Sequence, residues 1–280
     1  IINYCSEKQK KNYLPKMISG EIITAIAMTE PGTGSDLQNI KTKATISTDT
    51  VTLNGSKNFI TNGQNANLVL VVAKTDTSQK AKGISIILCE ENNKGFKRGK
   101  NLEKIGMKAQ DTSELYFEEV VLPKENILGN AGQGFSQLMD ELPQERLSIA
   151  VTAISAAEAA LNWTIAYVKE RTAFDKKIIE FQNTKFTLAK LKADITVGRA
   201  FIDRCIKEHI NNNFSAEDGA IAKLWCTDLQ FKVMDECLQL HGGYGYMKEY
   251  PIARAFLDSR VQRIYGGTNE IMKEIISRNL

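Results

Sequence analysis

The 280-residue chain lacks several features that would assign a simple class of function. Its five cysteines are odd in number and have no Cys-x-x-Cys spacing, which argues against a disulfide framework or a zinc knuckle and favours a reducing compartment. The two histidines, His209 and His241, are interpreted as structural, so no metal site is predicted. Basic side chains exceed acidic ones by only 36 to 33, without a basic tail, and composition therefore predicts no nucleic-acid partner.

Long apolar runs are also missing. No segment approaches the roughly 20 apolar residues that span a bilayer, so no transmembrane segment is expected. The first residues, IINYCSEKQKK, contain neither an initiator methionine nor a signal-peptide apolar stretch. This start indicates a sequence that begins within a longer protein.

The first half of the chain has the pattern of a β domain. Helix formers at 6–19 end at Gly20, and an apolar strand is expected at 22–28. From position 40 onward, short alternating or apolar segments follow one another, including KTKATIS, TVTLNGS, ANLVLVVAK, GISIILCE and SELYFEEVVL. The dipeptides Asn54-Gly55 and Asn62-Gly63 predict hairpin turns between them. The sequence therefore predicts an antiparallel, barrel-like β domain.

The second half has helical periodicity. Apolar residues recur three and four positions apart through LSIAVTAISAAEAALNWTIAYV, and further helical runs follow at about 182–209 and 216–240, with a short helix at 251–260 and a last helix. These lengths suit an antiparallel four-helix bundle. The glycines of GNAGQGF, at 129–135, lack the strand and downstream acid of a dinucleotide fingerprint. We therefore predict an α+β protein with an N-terminal helical remnant at 1–21, a β domain at 22–130 and a helical bundle at 131–280.

Five ordered motifs, MTEPGTGSD, FITNG, RTAF, QLHGGYG and YGGTNE, resemble those of the acyl-CoA dehydrogenase family. The resemblance extends over nearly the whole chain, except that the family begins with a helical domain of which only the last helix is present. It implies FAD as cofactor, an acyl-CoA thioester as substrate, an electron-transfer flavoprotein as electron acceptor and a homotetramer. The implied location is the cytoplasm, or the mitochondrial matrix in a eukaryote.

The resemblance also implies which residues bind the cofactor. Those expected to face the flavin ring are Ile26, Met28, Thr29, Phe59, Ile60 and Thr61. Those expected at the remaining part of FAD, partly across a subunit boundary, are Arg171, Phe174, Gln182, Gln239, Gly242, Gly243, Thr268, Asn269 and Glu270. Asp175 stands where relatives commonly have glycine, and it adds a negative charge near Arg171.

The reaction needs a base for the α-proton, because a thioester α-C–H is a weak acid. Many family members carry a glutamate in the tail motif, where this chain reads Tyr265-Gly266-Gly267-Thr268. Either dehydrogenase chemistry is lost, or the base is Glu145 of DELPQERL, as in the branch that includes the long-chain and isovaleryl enzymes. In that branch the Gly266 amide donates to the thioester carbonyl.

The remaining acids and substrate contacts follow from the same resemblance. Asp140, Glu141, Glu270 and Glu274 are interpreted as solvated, although Glu270 or Glu274 lies near enough to the tail motif to be a fallback base. The expected substrate-binding residues are Ser35, Arg146, Tyr265 and Gly267. The expected activity is α,β-dehydrogenation to the trans-2-enoyl-CoA, with an acyl-CoA oxidase or a non-catalytic flavin-binding or assembly protein as alternatives.

Overall fold

A computed structural model describes residues 1–278 and 280. The chain divides into two compact units. The sheet unit comprises Ile1–Lys104 and Lys108–Met139, and the helical unit comprises Ile105–Met107 and Asp140–Leu280.

The sheet unit begins with helix α1, Glu7–Ser19. The Ser6 hydroxyl accepts a hydrogen bond from the Gln9 amide, and the Gln9 side chain accepts one from the Ser6 amide, which together form a capping box. Gly20 ends the helix at φ 81°, a conformation that glycine adopts without a steric penalty. The predicted helix and its glycine stop are confirmed.

The described residues of the sheet unit form a seven-stranded mixed sheet. The strands are β1 Thr24–Ala27, β2 Lys43–Ile46, β3 Thr50–Thr61, β4 Leu68–Lys74, β5 Ile84–Glu90, β6 Phe96–Asn101 and β7 Thr112–Pro123. β3 pairs with β2 and β7, β6 with β7, and β5 with β4, all antiparallel. β1 lies parallel to β4, and β2 adds one parallel pair between Lys43 and Lys74.

The α+β class is confirmed, with one correction to the expected antiparallel sheet at β1 and β4. Alternation of apolar and polar residues indicates which face of a strand is buried, but strand neighbours depend on contacts between distant segments. Parallel neighbours need a long crossover connection. Residues 28–67, which contain β2 and β3, provide this connection.

The Asn54-Gly55 dipeptide does not form the predicted hairpin turn. Both residues lie within β3, where the register with β7 shifts. The Asn54 side chain instead bonds Glu119, accepting from its amide at 2.9 Å and donating to its carboxylate at 2.7 Å. A Cβ at Gly55 would lie 2.6 Å from the Thr42 hydroxyl oxygen, so glycine permits a close approach here. Asn62-Gly63 does lie in a turn, but the strands that it joins are not neighbours.

Strand β4 has buried apolar side chains on both faces. Val69 and Val71 pack in one core cluster with residues of β3, β5 and β7, whereas Leu68 and Val72 pack in a second cluster with residues of α1 and β5. This arrangement explains why the segment LVLVVAK is continuously apolar rather than alternating.

The helical unit is built on three long helices. The elements are α2 Gly134–Glu170, a small hairpin of β8 Thr172–Ala173 and β9 Lys176–Lys177, α3 Gln182–Ile210, α4 Ala216–Leu240, α5 Pro251–Ser259 and α6 Asn269–Ser277. The predicted helices at 182–209, 216–240 and 251–260 are confirmed to within a residue. The short helices α5 and α6 both pack on α4.

Helix α2 is long and apolar enough, by length and composition, to cross a bilayer. By these two criteria, the expectation that no segment is both long and apolar enough to span a bilayer is wrong. Within the helical unit, however, Ala150, Ala153 and Ala157 of α2 are fully buried in a cluster with side chains of α3 and α4. These small residues at helical spacing form the packed face of a core helix.

Candidate active site

The carboxylate of Glu145 lies beside the backbone of Gly266. Helix α2 carries Glu145 and, one turn later on the same face, Ile149. A Cβ built on Gly266 would lie 3.9 Å from Glu145 Oε1 and 2.5 Å from Ile149 Cδ1. The space that a side chain at 266 would enter is therefore bordered by the carboxylate of Glu145.

The environment of Glu145 alters its acidity. Glu145 is exposed to solvent, yet the protein atoms around its carboxylate desolvate it in part and raise its pKa above the ordinary 4.5, against the opposing charge of Arg146. Desolvation also raises the pKa of Tyr265, and the negative charge of Glu145 raises it further. A raised pKa makes an ionised carboxylate a better base for a weak C–H acid.

The fallback acids have different surroundings. Glu270 is exposed, and its own backbone amide and the Thr268 hydroxyl lower its pKa, because both hydrogen-bond the ionised form. Glu274 pairs with Arg278 at 3.3 Å on the exposed surface. Both acids are therefore weaker candidates for the base than Glu145.

A buried arginine bonds a backbone carbonyl of the tail turn, which is defined as residues 266–269. The side chain of Arg146 is only 6% exposed, and its Nε donates to the Gly266 carbonyl at 3.4 Å. Gly266 and Gly267 have φ values of 61° and 90°, which favour glycine. This contact directs Arg146 at the backbone of the turn.

The amide side of the tail turn is available to a ligand. Among the described residues, the N–H groups of Gly266, Gly267 and Thr268 donate to no protein acceptor. The Thr268 hydroxyl caps α6 by accepting from the Ile271 amide at 3.3 Å. Unpaired amides next to a helix N-terminus can donate to a carbonyl oxygen or an anion.

The residues expected to face the flavin ring lie at the ends of β1 and β3 in the sheet unit. The Thr29 carbonyl accepts from the Asn58 amide at 2.8 Å, which joins the two strand ends. Ile26 and Phe59 are 41% and 63% exposed, and Phe59 has a φ of 59°. The two strand ends therefore present apolar side chains to solvent.

The other predicted ring contacts differ in burial. Ile60 is buried in the core of the sheet unit, so its backbone rather than its side chain is available to a ligand. Met28 and Thr29 are partly buried, whereas Thr61 and the predicted substrate residue Ser35 are exposed.

A buried ion pair supports the Met28–Thr29 segment. The Lys57 ammonium, with a fully buried side chain, donates to Glu30 Oε1 and to the Met28 carbonyl, both at 2.9 Å. The Glu30 carboxylate also accepts from the amides of Lys41 and Thr42, at 2.6 and 2.9 Å. Desolvation lowers the pKa of Lys57 to about 8. The positive charge of Lys57 in turn helps to lower the pKa of Glu30.

In the helical unit, the RTAF segment lies beside the glycine-rich QLHGGYG segment. The Arg171 guanidinium stacks over the Tyr244 ring at 5.5 Å, next to Gly242 and Gly243. Phe174, which is 89% exposed, and Asp175 form the tip of the β8–β9 hairpin with φ values of 53° and 59°. Asp175 thus occupies a left-handed turn position, which a glycine would adopt without a steric penalty. Gln182 and Gln239 are exposed, at the start of α3 and near the end of α4.

These residues fit the chemistry of FAD. An isoalloxazine ring needs flat apolar contacts and neutral polar groups, which Phe59, Ile26 and Thr29 can provide. A diphosphate needs a cation and accessible amides. Arg171 has the required positive charge, and a Cβ placed on Gly242 or Gly243 would meet no atom within 4 Å, so the backbone there is open to approach.

Sequence reasoning missed two buried lysines, Lys57 and Lys223. Lysine is rarely buried, so its occurrence in a sequence gives no reason to expect it in the interior. Lys223 is followed by Cys226 and Thr227 at helical spacing within an apolar run, and all three are fully buried. This spacing was the available signal.

Comparison with known proteins identifies the family that the chain is similar to. Residues 25–120 match a family profile described as the acyl-CoA dehydrogenase middle domain, and residues 132–280 match one described as its C-terminal domain. The chain is 52% identical to the mitochondrial long-chain specific acyl-CoA dehydrogenase of Sus scrofa, covering 100% of the chain and 66% of that protein. It is 37% identical to an acyl-CoA dehydrogenase of Bacillus subtilis, of which it covers 74%.

A solved structure has the same fold. The crystal structure of an acyl-CoA dehydrogenase from Geobacillus kaustophilus superimposes with a TM-score of 0.98 at 49% identity, covering 100% of this chain and 74% of that one. The chain thus spans about two thirds to three quarters of the relatives it matches. On the combined evidence of both profiles, these identities and the shared fold, the chain belongs to the acyl-CoA dehydrogenase family.

Proposed function

We propose that the protein containing this chain is an FAD-dependent acyl-CoA dehydrogenase that converts an acyl-CoA thioester to the trans-2-enoyl-CoA. The observation that carries the proposal is the carboxylate of Glu145, whose Oε1 lies 3.9 Å from the position that a Cβ on Gly266 would take. A tail turn with free amides and a neighbouring carboxylate of raised pKa is suited to removing a proton next to a carbonyl.

Glu145 takes the α-proton onto its carboxylate in this mechanism. The Gly266 amide donates to the thioester oxygen and stabilises the negative charge that develops there. Arg146, which is held against the Gly266 carbonyl, acts through the turn rather than on the acyl group. FAD, when bound, accepts the hydride from the β-carbon, so that two C–H bonds break, the Cα=Cβ bond forms and the flavin is reduced.

The proposal extends to partners and substrate class. An electron-transfer flavoprotein is the proposed oxidant of the reduced enzyme, and a homotetramer the proposed assembly. The mitochondrial matrix is the proposed location in a eukaryote, and the cytoplasm in a bacterium. The 52% identity to a long-chain specific enzyme supports long-chain acyl-CoA as the first substrate to test.

Anaerobic flavin bleaching tests this function. Purified protein with bound FAD is mixed with acyl-CoA esters of increasing chain length, and absorbance near the flavin maximum is followed. We expect rapid bleaching, and formation of enoyl-CoA in equal amount. A flavin that no acyl-CoA reduces would show a non-catalytic flavin-binding protein, whereas fast reoxidation by oxygen would show an acyl-CoA oxidase.

The rate of flavin reduction should depend on the ionisation of Glu145. Because desolvation raises the pKa of this group, we expect the rate to rise with pH through a value above 4.5. Stopped-flow measurement of flavin reduction at a series of pH values shows this rise in rate directly. A rate that is already constant at and above pH 4.5 would contradict the assignment.

A transplanted carboxylate offers an independent check of the geometry. The double variant Glu145→Gly/Gly266→Glu is expected to reduce its flavin at least tenfold faster than Glu145→Gly alone, because a side chain at 266 enters the space beside position 145. Wild-type rates are not expected, since the φ of 61° strains a glutamate and Ile149 must move.

The matched control for this variant is Glu145→Gly/Gly267→Glu. It places the same carboxylate one residue later, where a Cβ would meet Met272 at 2.8 Å instead of facing position 145. Equal rescue by both double variants would mean that the space at 266 is not the site of proton removal.

A further inference from the structure

The side chain of Lys223 is completely buried and bonded to the tail turn. It lies on α4, and its ammonium donates to the Gly267 carbonyl and to Asn269 Oδ1, both at 2.8 Å. Neither acceptor carries a formal charge. A buried ammonium bonded only to neutral oxygens is costly, so this side chain is not an ordinary packing element.

The charged groups that act on Lys223 lie on α2, α4, α6 and the turn that contains Arg263. Arg146 of α2 and Arg263 repel the ammonium, whereas Asp228 of α4 and Glu270 of α6 attract it. Desolvation is larger than any of these effects and lowers the pKa of Lys223 to about 8. A methionine of similar length would fill this volume without that cost.

Helix α4 also fixes the orientation of Asn269. The Asn269 amide nitrogen donates to Asp228 Oδ1 at 2.9 Å and to the Thr227 hydroxyl at 3.1 Å, while its oxygen accepts from Lys223. The Thr227 hydroxyl in turn donates to the Lys223 carbonyl at 2.8 Å. The first residue of α6 is therefore held on both sides of its amide.

Two cations thus hold two successive carbonyls of the tail turn. Arg146 bonds the carbonyl of Gly266, and Lys223 bonds that of Gly267. Because a peptide group is planar, holding these carbonyls orients the N–H groups of Gly267 and Thr268. A cation on a carbonyl also polarises the peptide group and makes its N–H a stronger donor.

We propose that Lys223 is a positioning residue that clamps the tail turn onto α4 by fixing the peptide group between Gly267 and Thr268, and thereby keeps the neighbouring backbone of Gly266 and the space beside Glu145 in their reactive arrangement. The inference rests on the proposed function for its kinetic part. The clamp itself is a property of the folded chain and does not depend on any substrate.

The test compares Lys223→Met with a control variant, Lys232→Met. Lys232 lies on the same helix and forms a partly exposed ion pair with Asp194, with 2.9 Å between Nζ and Oδ2. Hydrogen exchange followed by mass spectrometry is measured on peptides that cover 264–277. Lys223→Met is expected to exchange faster there than the wild type, and Lys232→Met is expected to match the wild type. Unchanged exchange in Lys223→Met would overturn the clamp.

Flavin reduction by acyl-CoA supplies the second readout. In Lys223→Met we expect kcat to fall about tenfold while KM changes less than threefold, because a misplaced amide weakens the transition state more than substrate binding. A lower melting temperature with unchanged kcat would reduce Lys223 to a packing role and overturn the proposal.

A conservative variant keeps the test usable if Lys223→Met does not fold. Lys223→Gln retains an N–H donor without the charge, and its exchange rate and kcat are expected to lie between those of the methionine variant and the wild type. Wild-type values in Lys223→Gln would contradict the need for the ammonium. If exchange rises but wild-type flavin is never reduced, the clamp stands and the proposed function fails.

Discussion

Glu145→Gln is expected to lower the rate of flavin reduction by acyl-CoA about 10²- to 10⁴-fold, the range that a general base contributes. The amide cannot accept the α-proton, whereas its size and its bonds to neighbours stay close to those of the carboxylate. Flavin content and KM should change little. Single-turnover absorbance at the flavin maximum measures the effect directly.

Two acids on either side of the proposed base provide controls. Asp140→Asn, at an exposed position six residues after the start of α2, is expected to reduce its flavin at the wild-type rate. Glu270→Gln should do the same, because the lowered pKa of Glu270 makes it a poor base. A wild-type rate in Glu145→Gln together with a slow Glu270→Gln would transfer the role to Glu270.

The stability of Glu145→Gln should change in the opposite direction from its activity. A carboxyl whose folded pKa is raised favours the protonated form, so the folded state loses stability as pH rises through that pKa. The neutral glutamine avoids this loss, and we expect the variant to melt at or above the wild-type temperature at pH 7. A lower melting temperature would indicate a structural rather than a catalytic defect.

Glu30→Ala is expected to lower the free energy of unfolding of the sheet unit by about 3–5 kcal/mol, because it leaves the Lys57 ammonium buried without its partner. The amides of Lys41 and Thr42 lose their acceptor as well. Since Lys57 also bonds the Met28 carbonyl, FAD retention should fall together with stability. Denaturant unfolding and flavin release during gel filtration measure the two effects.

The exposed pair between Lys97 and Glu118, at 2.6 Å in the same unit, provides the matched control. Glu118→Ala is expected to change stability by less than about 0.5 kcal/mol, since solvent screens such pairs. The double variant Glu30→Leu/Lys57→Met removes both charges and should recover part of the loss. If Glu30→Ala is as mild as Glu118→Ala, the buried pair does not support the strand end.

The residues at the proposed base show how far the sequence could lead. The Tyr265-Gly266-Gly267-Thr268 motif lacks an acid, and that absence singled out Glu145 among three neighbouring carboxylates. The sequence could not reveal that a side chain at 266 would end beside Glu145, because this proximity joins residues that are far apart in the chain. The fold brings Glu145 and Ile149 of α2 against Gly266, within 3.9 and 2.5 Å of the position that its Cβ would take.

Arg146 and Ile60 show a related limit. The resemblance assigned Arg146 to substrate, but the fold buries it behind the tail turn, where it bonds the Gly266 carbonyl. Ile60 was assigned to the flavin, and its side chain points into the core of the sheet unit. A motif identifies a position, while the direction of a side chain depends on the local backbone, such as the change of register in β3 between Lys57 and Ile60.

The sequence by itself determined the class of each half, the helix bounds and the family, because these depend on periodicity, turn residues and ordered motifs within short segments. Tertiary structure alone decided the parallel neighbours β1 and β4, the bulge at Gly55, and the burial of Lys57 and Lys223. A lysine in a strand or helix has the same local pattern whether it meets water or the interior. Its burial is decided by acceptors far away in the sequence, Glu30 for Lys57, and Gly267 and Asn269 for Lys223.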